Sequence, residues 1–319
     1  MAPAAAQEVA SAAPCLLRGT APVPKGTQMY DARSDGRLLA TFSGAVVPLT
    51  LNDIPADPAS GRALLRTSNG GGALRLEGWV PAASLHVYTT RDVPVVAGHV
   101  WLAAAQRERL VRSAGAALDA ELTITGSQSQ AARGSAPCDA FSLQRGAAIA
   151  MEVPGNGRGY RMKSATLPLF ADAKAADAPI FTLRMTDTTG QLFWSTEARA
   201  GFVRVKTRGD VVIDAWARSA DLDPLAQGEM RDQLLPPQTS VASAQLTLDK
   251  APRLVKTTKE IVLRARRDTK ERPIGVVEAG AEVYVTETVA GWSNLLPRHL
   301  GMTPPPEGGF WAPSGEVPR

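Results

Sequence analysis

The sequence predicts an all-β chain made of about four small antiparallel barrels in tandem. Three observations carry this. Short apolar bursts alternate with turn residues along the whole chain, supplied by 28 glycines and 24 prolines among 319 residues. A Trp-centred segment recurs near the end of the repeats, as Gly78-Trp79-Val80, Ala215-Trp216-Ala217 and Phe310-Trp311-Ala312. Each of these Trp residues is followed six positions later by an aliphatic residue (Leu85, Leu222, Val317). Coiled-coil heptads and long amphipathic helices are absent, and no stretch approaches the roughly 18 apolar residues of a spanning helix.

In chain order, residues 1–14 read as a disordered Ala/Pro-rich tether. Unit 1 covers 15–86. It opens on Leu16-Leu17-Arg18-Gly19-Thr20, continues through Gln28-Met29-Tyr30 and Gly44-Ala45-Val46-Val47, and closes on the Trp79 segment. Unit 2 covers 87–144 and is divergent: it has no terminal Trp, and Cys138 and Phe141 stand where that strand belongs. A linker at 145–158 contains Pro154-Gly155-Asn156-Gly157. Unit 3 covers 159–223 and runs from Tyr160 through Leu167-Pro168-Leu169-Phe170 and Gly201-Phe202 to Trp216.

A second linker, 224–252, holds a short helix predicted from Asp223 to Leu235, which Pro236-Pro237 would end. Unit 4 covers 253–319, with Glu282, Tyr284 and Thr286 alternating against Val283 and Val285. Taking Tyr30, Trp101, Phe170 and Leu263 as equivalent gives steps of 71, 69 and 93 residues, the last lengthened by the linker. The Trp-to-aliphatic spacing fits either one continuous strand or a turn between the two, the latter suggested by Ser84, Ser219 and Ser314.

The order of an opening strand, a small-residue burst, a Gly before an alternating strand, a Gly-aromatic pair and a small-Trp-small strand resembles bacterial SH3-like (SH3b) domains. Unit 4 matches best, through Val262-Leu263-Arg264-Ala265, Pro273-Ile274-Gly275-Val276-Val277, Gly280, Gly291-Trp292 and Trp311. Unit 1 matches through Leu38-Leu39-Ala40, Gly44 and Trp79, and unit 3 through Gly201-Phe202 and Trp216. The resemblance implies a noncatalytic adaptor of the bacterial envelope or extracellular space, binding protein or peptidoglycan.

The net charge of +4 and pI of about 9.2 are too mild for a dedicated nucleic-acid binder, which disfavours that partner. Arg outnumbers Lys 27 to 8, a usage typical of GC-rich bacterial genomes. The tether has no basic or apolar signal region and resembles the start of a mature exported protein, placing the chain in the periplasm, on the cell surface or outside the cell. A frayed cytosolic tail is the alternative. Cys15 and Cys138 read either as unrelated thiols or as one disulfide, which export would permit.

The ligand-contact candidates are aromatic. Trp292 follows a turn Gly, Phe193 and Trp194 are adjacent so that a strand sends them to opposite faces, and Tyr284 lies on the alternating strand. The recurrent Trp79, Trp216 and Trp311 read as core positions. A basic stretch (Lys256, Lys259, Arg264, Arg266, Arg267, Lys270, Arg272) reads as a solvated face or as a patch for a polyanion.

Catalytic motifs are missing. His86, His99 and His299 have no metal-ligand spacing, there is no Gly-x-Ser-x-Gly elbow, and Gly70-Gly71-Gly72 is not followed by a phosphate-binding Gly-Lys. No cofactor and no catalytic residue is therefore expected. The other reading is a structural subunit of a larger assembly, docked through loops such as Thr303-Pro304-Pro305-Pro306-Glu307-Gly308-Gly309.

Overall fold

A computed structural model of the chain describes residues 15–69, 74–151, 156–174, 177–186, 191–226, 251–297, 301–305 and 308–319. The tether 1–14 lies outside them, as do His299, Gly70–Gly72 and most of the predicted linker helix; that helix's first residues, Asp223 and Pro224, end the strand Leu222–Pro224 instead. Among the described residues the chain is all-β, with antiparallel strands joined by turns and short 3-10 turns. No helix among them is long and apolar enough to cross a membrane.

The recurrent Trp segments fold alike. Strands Leu74–Pro81, Val211–Arg218 and Trp311–Pro313 each lead straight into a 3-10 turn, at Ala82–Ser84, Ser219–Asp221 and Ser314–Glu316. Of the two conformations open for the Trp-to-aliphatic spacing, the chain takes the turn. Unit 2 repeats the device without its Trp. Strand Ala131–Pro137 enters a 3-10 turn at Cys138–Ala140, and Phe141 follows, so Ser135 occupies the place of the Trp. Small residues suit that strand: a Cβ on Gly134 would lie 2.7 Å from Val93 Cγ1 and 3.0 Å from the Pro94 carbonyl oxygen.

The Trp residues are structural. Trp216 and Trp311 are buried, and Trp79 is half-buried. Each carries an arginine over its ring: Arg33 lies 5.7 Å from the Trp79 centroid, Arg199 4.8 Å from that of Trp216 and Arg267 5.2 Å from that of Trp311. Such contacts contribute roughly 0.5–1 kcal/mol at exposed sites. Across the sheet these Trp residues face Tyr30, Phe170 and Arg264. The expected equivalence of Tyr30 and Phe170 agrees with these partners, while Arg264 rather than Leu263 holds the matching place in unit 4. Trp101 does not: it lies on the second strand of its hairpin, opposite Pro94 and Val212.

The units pair crosswise through their sheets. Strand Pro273–Val277 of unit 4 adds to the Trp strand of unit 1, with Gly275 opposite Leu76 and Val277 opposite Leu74. Strand Val100–Leu102, which falls within the 87–144 segment, adds to the Trp strand of unit 3, with Val100 opposite Ile213 and Leu102 opposite Val211. The registers are equivalent, three and five residues before the Trp in both cases. Units 1 and 4 thus share one 13-stranded sheet, and the 8-stranded sheet of unit 3 takes in the Val93–Leu102 hairpin. The remaining strands of unit 2 form a five-stranded sheet. The 8-stranded sheet thus crosses the 144/145 division read from the sequence, while the five-stranded sheet begins at His86, beside the 86/87 division.

Units 1 and 2 are tied covalently and by close backbone contact. Cys15 and Cys138 form a disulfide with a Cα–Cα distance of 5.6 Å. Leu143 N–H donates to the Arg18 carbonyl at 3.1 Å. Here only glycine fits at position 19, because a Cβ would lie 2.3 Å from the Gln144 nitrogen.

Candidate functional site

The two equivalent junctions leave two equivalent grooves, and they differ in chemistry. At the junction of units 1 and 4 the groove is lined by Thr50, Arg66, Thr67, Leu76, Glu77 and Val276 and encloses about 410 Å³. At the junction of units 2 and 3 it encloses about 260 Å³. There Lys206, Thr207, Ile213 and Asp214 replace Arg66, Thr67, Leu76 and Glu77 at matching register positions. The remaining two places change character: Trp194 stands where Thr50 does, each opposite the cation of its neighbouring strand, and Trp101 where Val276 does.

Each side chain of the second groove is held. Trp194 lies on strand Leu192–Ser195, 7% exposed, and its indole Nε1–H donates to Met151 Sδ at 2.7 Å. Lys206 sits 5.3 Å from the Trp194 ring centroid and pairs with Asp214 at 3.2 Å. Asp214 also takes two N–H groups of Arg204, at 2.7 and 3.1 Å. That bond is the main cause of the raised Arg204 pKa. On the same strand as Lys206, Arg208 grips Asp92 with two N–H bonds, at 3.0 and 2.5 Å. Asp92 in turn accepts the Ala104 N–H at 2.9 Å. Trp101 is half-buried, so part of its ring faces the groove.

The groove therefore offers two indoles and a thioether between paired charges. Aromatic faces bind apolar faces of flat ligands, and the paired charges at the rim keep hydrogen-bonding capacity without an uncompensated charge.

The sequence candidates fare differently. Trp194 lines the groove. Phe193, its neighbour, is 0% exposed, so its reading as a ligand contact is corrected: the strand turns it into the core. Trp292 and Tyr284 are half-buried on the sheet of unit 4, opposite Pro313 and Val289 and opposite Leu254 and Leu296 respectively. The structure does not bring them to Trp194. Trp101 and Met151 were not predicted as site residues. Trp101 could have been found as the aromatic of the hairpin that contains Pro94, but its groove exists only through pairing with a distant strand.

The basic stretch does not act as one patch. Arg267 stacks on Trp311, Arg272 pairs with Glu77 at 3.4 Å, and Arg266 lies 3.8 Å from Glu271. Arg264 is half-buried opposite Trp311, while Lys256, Lys259 and Lys270 are exposed. Among the described residues no group of three His, Cys, Asp or Glu side chains is placed to hold a metal ion.

No family model matches the chain, and no curated protein matches it. Among solved structures, NlpC2 from Trichomonas vaginalis aligns at 10% identity and a TM-score of 0.19, covering 52% of this chain and 49% of that one. NlpC1 from the same organism aligns at 9% identity and a TM-score of 0.19, covering 53% and 48%. The alignment thus spans about half the length of each, and likeness at this level carries no conclusion about fold or activity.

Proposed function

We propose that the chain is a noncatalytic adaptor of the bacterial envelope or extracellular space, built of SH3-like barrels, which binds peptidoglycan in the groove between units 2 and 3. The observation that carries this is the difference between the two junctions. The same backbone arrangement occurs twice, and only one copy presents Trp101 and Trp194. Two indoles flanking a shallow groove suit the ring faces of a glycan strand, and the Asp92–Arg208 and Lys206–Asp214 pairs suit its hydroxyls and amides. The disulfide between Cys15 and Cys138 supports an oxidising location.

The test is co-sedimentation with purified sacculi at low and high salt, comparing the wild type with Trp101→Ala. Half-buried Trp101 can be removed with less damage to packing than Trp194. Salt-resistant pelleting of the wild type, reduced at least tenfold in Trp101→Ala, is the expected result. Equal pelleting of both proteins refutes the groove. Pelleting that disappears in high salt points instead to the exposed lysines of the 256–272 stretch.

A further inference from the structure

A second cavity, remote from the tryptophan groove, lies where units 1 and 2 meet and encloses about 460 Å³. Lys25, His86, Tyr88, Arg107 and Arg145 supply all its titratable groups, and no carboxylate lines it. Arg66, Arg75, Arg91, Arg109, Arg204 and Arg208 each face a carboxylate within 3.5 Å. Among the described residues, Lys25, Arg107 and Arg145 make no ion pair.

Backbone contacts fix the chain that carries these cations, and the side chains of Lys25, Arg107 and Arg145 are exposed. Lys25 sits in a turn closed by Thr27 N–H to the Pro24 carbonyl at 3.1 Å and by Gly26 N–H to the Phe42 carbonyl at 2.9 Å. Arg145 follows the segment pinned against Arg18 and Gly19, and its Nε–H donates to the Ala105 carbonyl at 3.2 Å, leaving its terminal nitrogens for the cavity. Arg107 contacts His86 Nε2. A guanidinium only donates, so that nitrogen accepts and the ring is neutral. Burial first, and then the Arg107 charge, hold the His86 pKa below its ordinary value, against a smaller opposing pull from the Glu108 backbone. Arg109, the register partner of His86, is occupied by Glu121 at 2.6 Å.

Three exposed cations and a neutral imidazole thus line one space between walls that the disulfide joins covalently. Their mutual repulsion is relieved by an anion between them. One carboxylate is served by a single arginine fork, whereas two guanidiniums and an ammonium match a dianion with several acceptor oxygens. The volume exceeds that of the anion alone, and Tyr88, Pro22 and Pro24 give it an apolar flank. We infer that this cavity binds a phosphate-bearing small molecule, with Lys25, Arg107 and Arg145 on the phosphate and Tyr88 beside the organic part.

His86 reports on occupancy. Its pKa is measured by NMR at constant ionic strength in chloride, in inorganic phosphate and in glucose 6-phosphate, with His99, which faces the Asp214 carbonyl at 3.2 Å, as internal control. A bound anion favours the charged ring, so a saturable rise of about one unit, a tenfold change in proton affinity, is expected with phosphate and not with chloride. Tighter binding of glucose 6-phosphate marks an ester site, and equal binding marks a free-phosphate site. Lys25→Ala, with the His99 signal unchanged as proof of folding, should weaken binding about tenfold. An unmoved His86, the same shift in chloride, or an unchanged affinity in Lys25→Ala overturns the inference.

Discussion

Glu108→Gln should abolish a large part of the stability loss that the chain undergoes as the pH rises from about 4.5 to about 8. Glu108 is 1% exposed, and its Oε1 lies 3.2 Å from Thr89 Oγ1, which lies 3.0 Å from the Ala103 carbonyl oxygen. Thr89 has one hydroxyl hydrogen, and the carbonyl can only accept. When that hydrogen goes to Ala103, the contact with Glu108 needs a hydrogen from the carboxyl, which must then be protonated. The other oxygen, Oε2, is buried without a partner. Burial accordingly raises the Glu108 pKa to about 8, against a smaller opposing pull from Thr89.

The sign follows from proton counts. Between the ordinary carboxyl value near 4.5 and about 8, the folded chain holds a proton that the unfolded chain has lost. Stability from this group is complete below 4.5, falls through the window and is exhausted above 8. A gap of about 3.5 units at 1.36 kcal/mol each gives a total of about 5 kcal/mol, of which about 2 falls between pH 6 and 8. The assay is urea unfolding from pH 5 to 9. Glutamine cannot ionise, so the variant's curve should be flatter. It should be less stable than the wild type at pH 5, where the amide's extra hydrogens lack partners, and more stable at pH 9. Parallel curves for the two proteins would refute the protonated-chain reasoning.

Three further outcomes are expected. Reducing the Cys15–Cys138 disulfide, which closes a loop of 123 residues, should cost up to about 5 kcal/mol by loop entropy, read as a lower urea midpoint in dithiothreitol; no change would show that the backbone contacts alone hold units 1 and 2. Gly275→Ala should destabilise by at least about 1–3 kcal/mol, because its Cβ would fall 2.0 Å from the Arg75 carbonyl oxygen, whereas Gly315→Ala, with open space around it, should be near neutral in the same thermal melt. Trp194→Ala should lower the melting temperature as well as sacculus binding, since the ring is nearly buried, while Trp101→Ala should affect binding more than melting.

What the sequence made legible was whatever each unit encodes locally. Gly before an alternating strand, and Trp followed by an aliphatic residue, are short-range signals, and the strands and turns near Trp79, Trp216 and Trp311 form accordingly. Ser135 breaks the Trp pattern, so the fourth copy of the strand-and-turn device is marked in the sequence only by Cys138 and Phe141. Partnerships between units were not legible, because the strand pairing that sets Val276 opposite Arg75 and Trp101 opposite Val212 leaves no local mark. The groove depends on that pairing. Trp194 was visible as an aromatic, but its neighbours Trp101 and Met151 were not visible as its companions. Arg267 shows the converse: a charge read as solvated or ligand-binding is engaged by the Trp311 ring.

The pairing of the first unit with the last has a consequence for how the chain is made. Strand Leu74–Pro81 of unit 1 is synthesised early, yet its partner Pro273–Val277 follows only about 190 residues later, or roughly 10–40 s at ordinary translation rates. Over that interval the nascent chain carries an open β-edge with its hydrogen-bonding groups unpaired, the kind of surface on which chains aggregate. The C-terminal unit is thus a built-in cover for the N-terminal one. A premature stop before it would leave a sticky fragment rather than a shorter working protein.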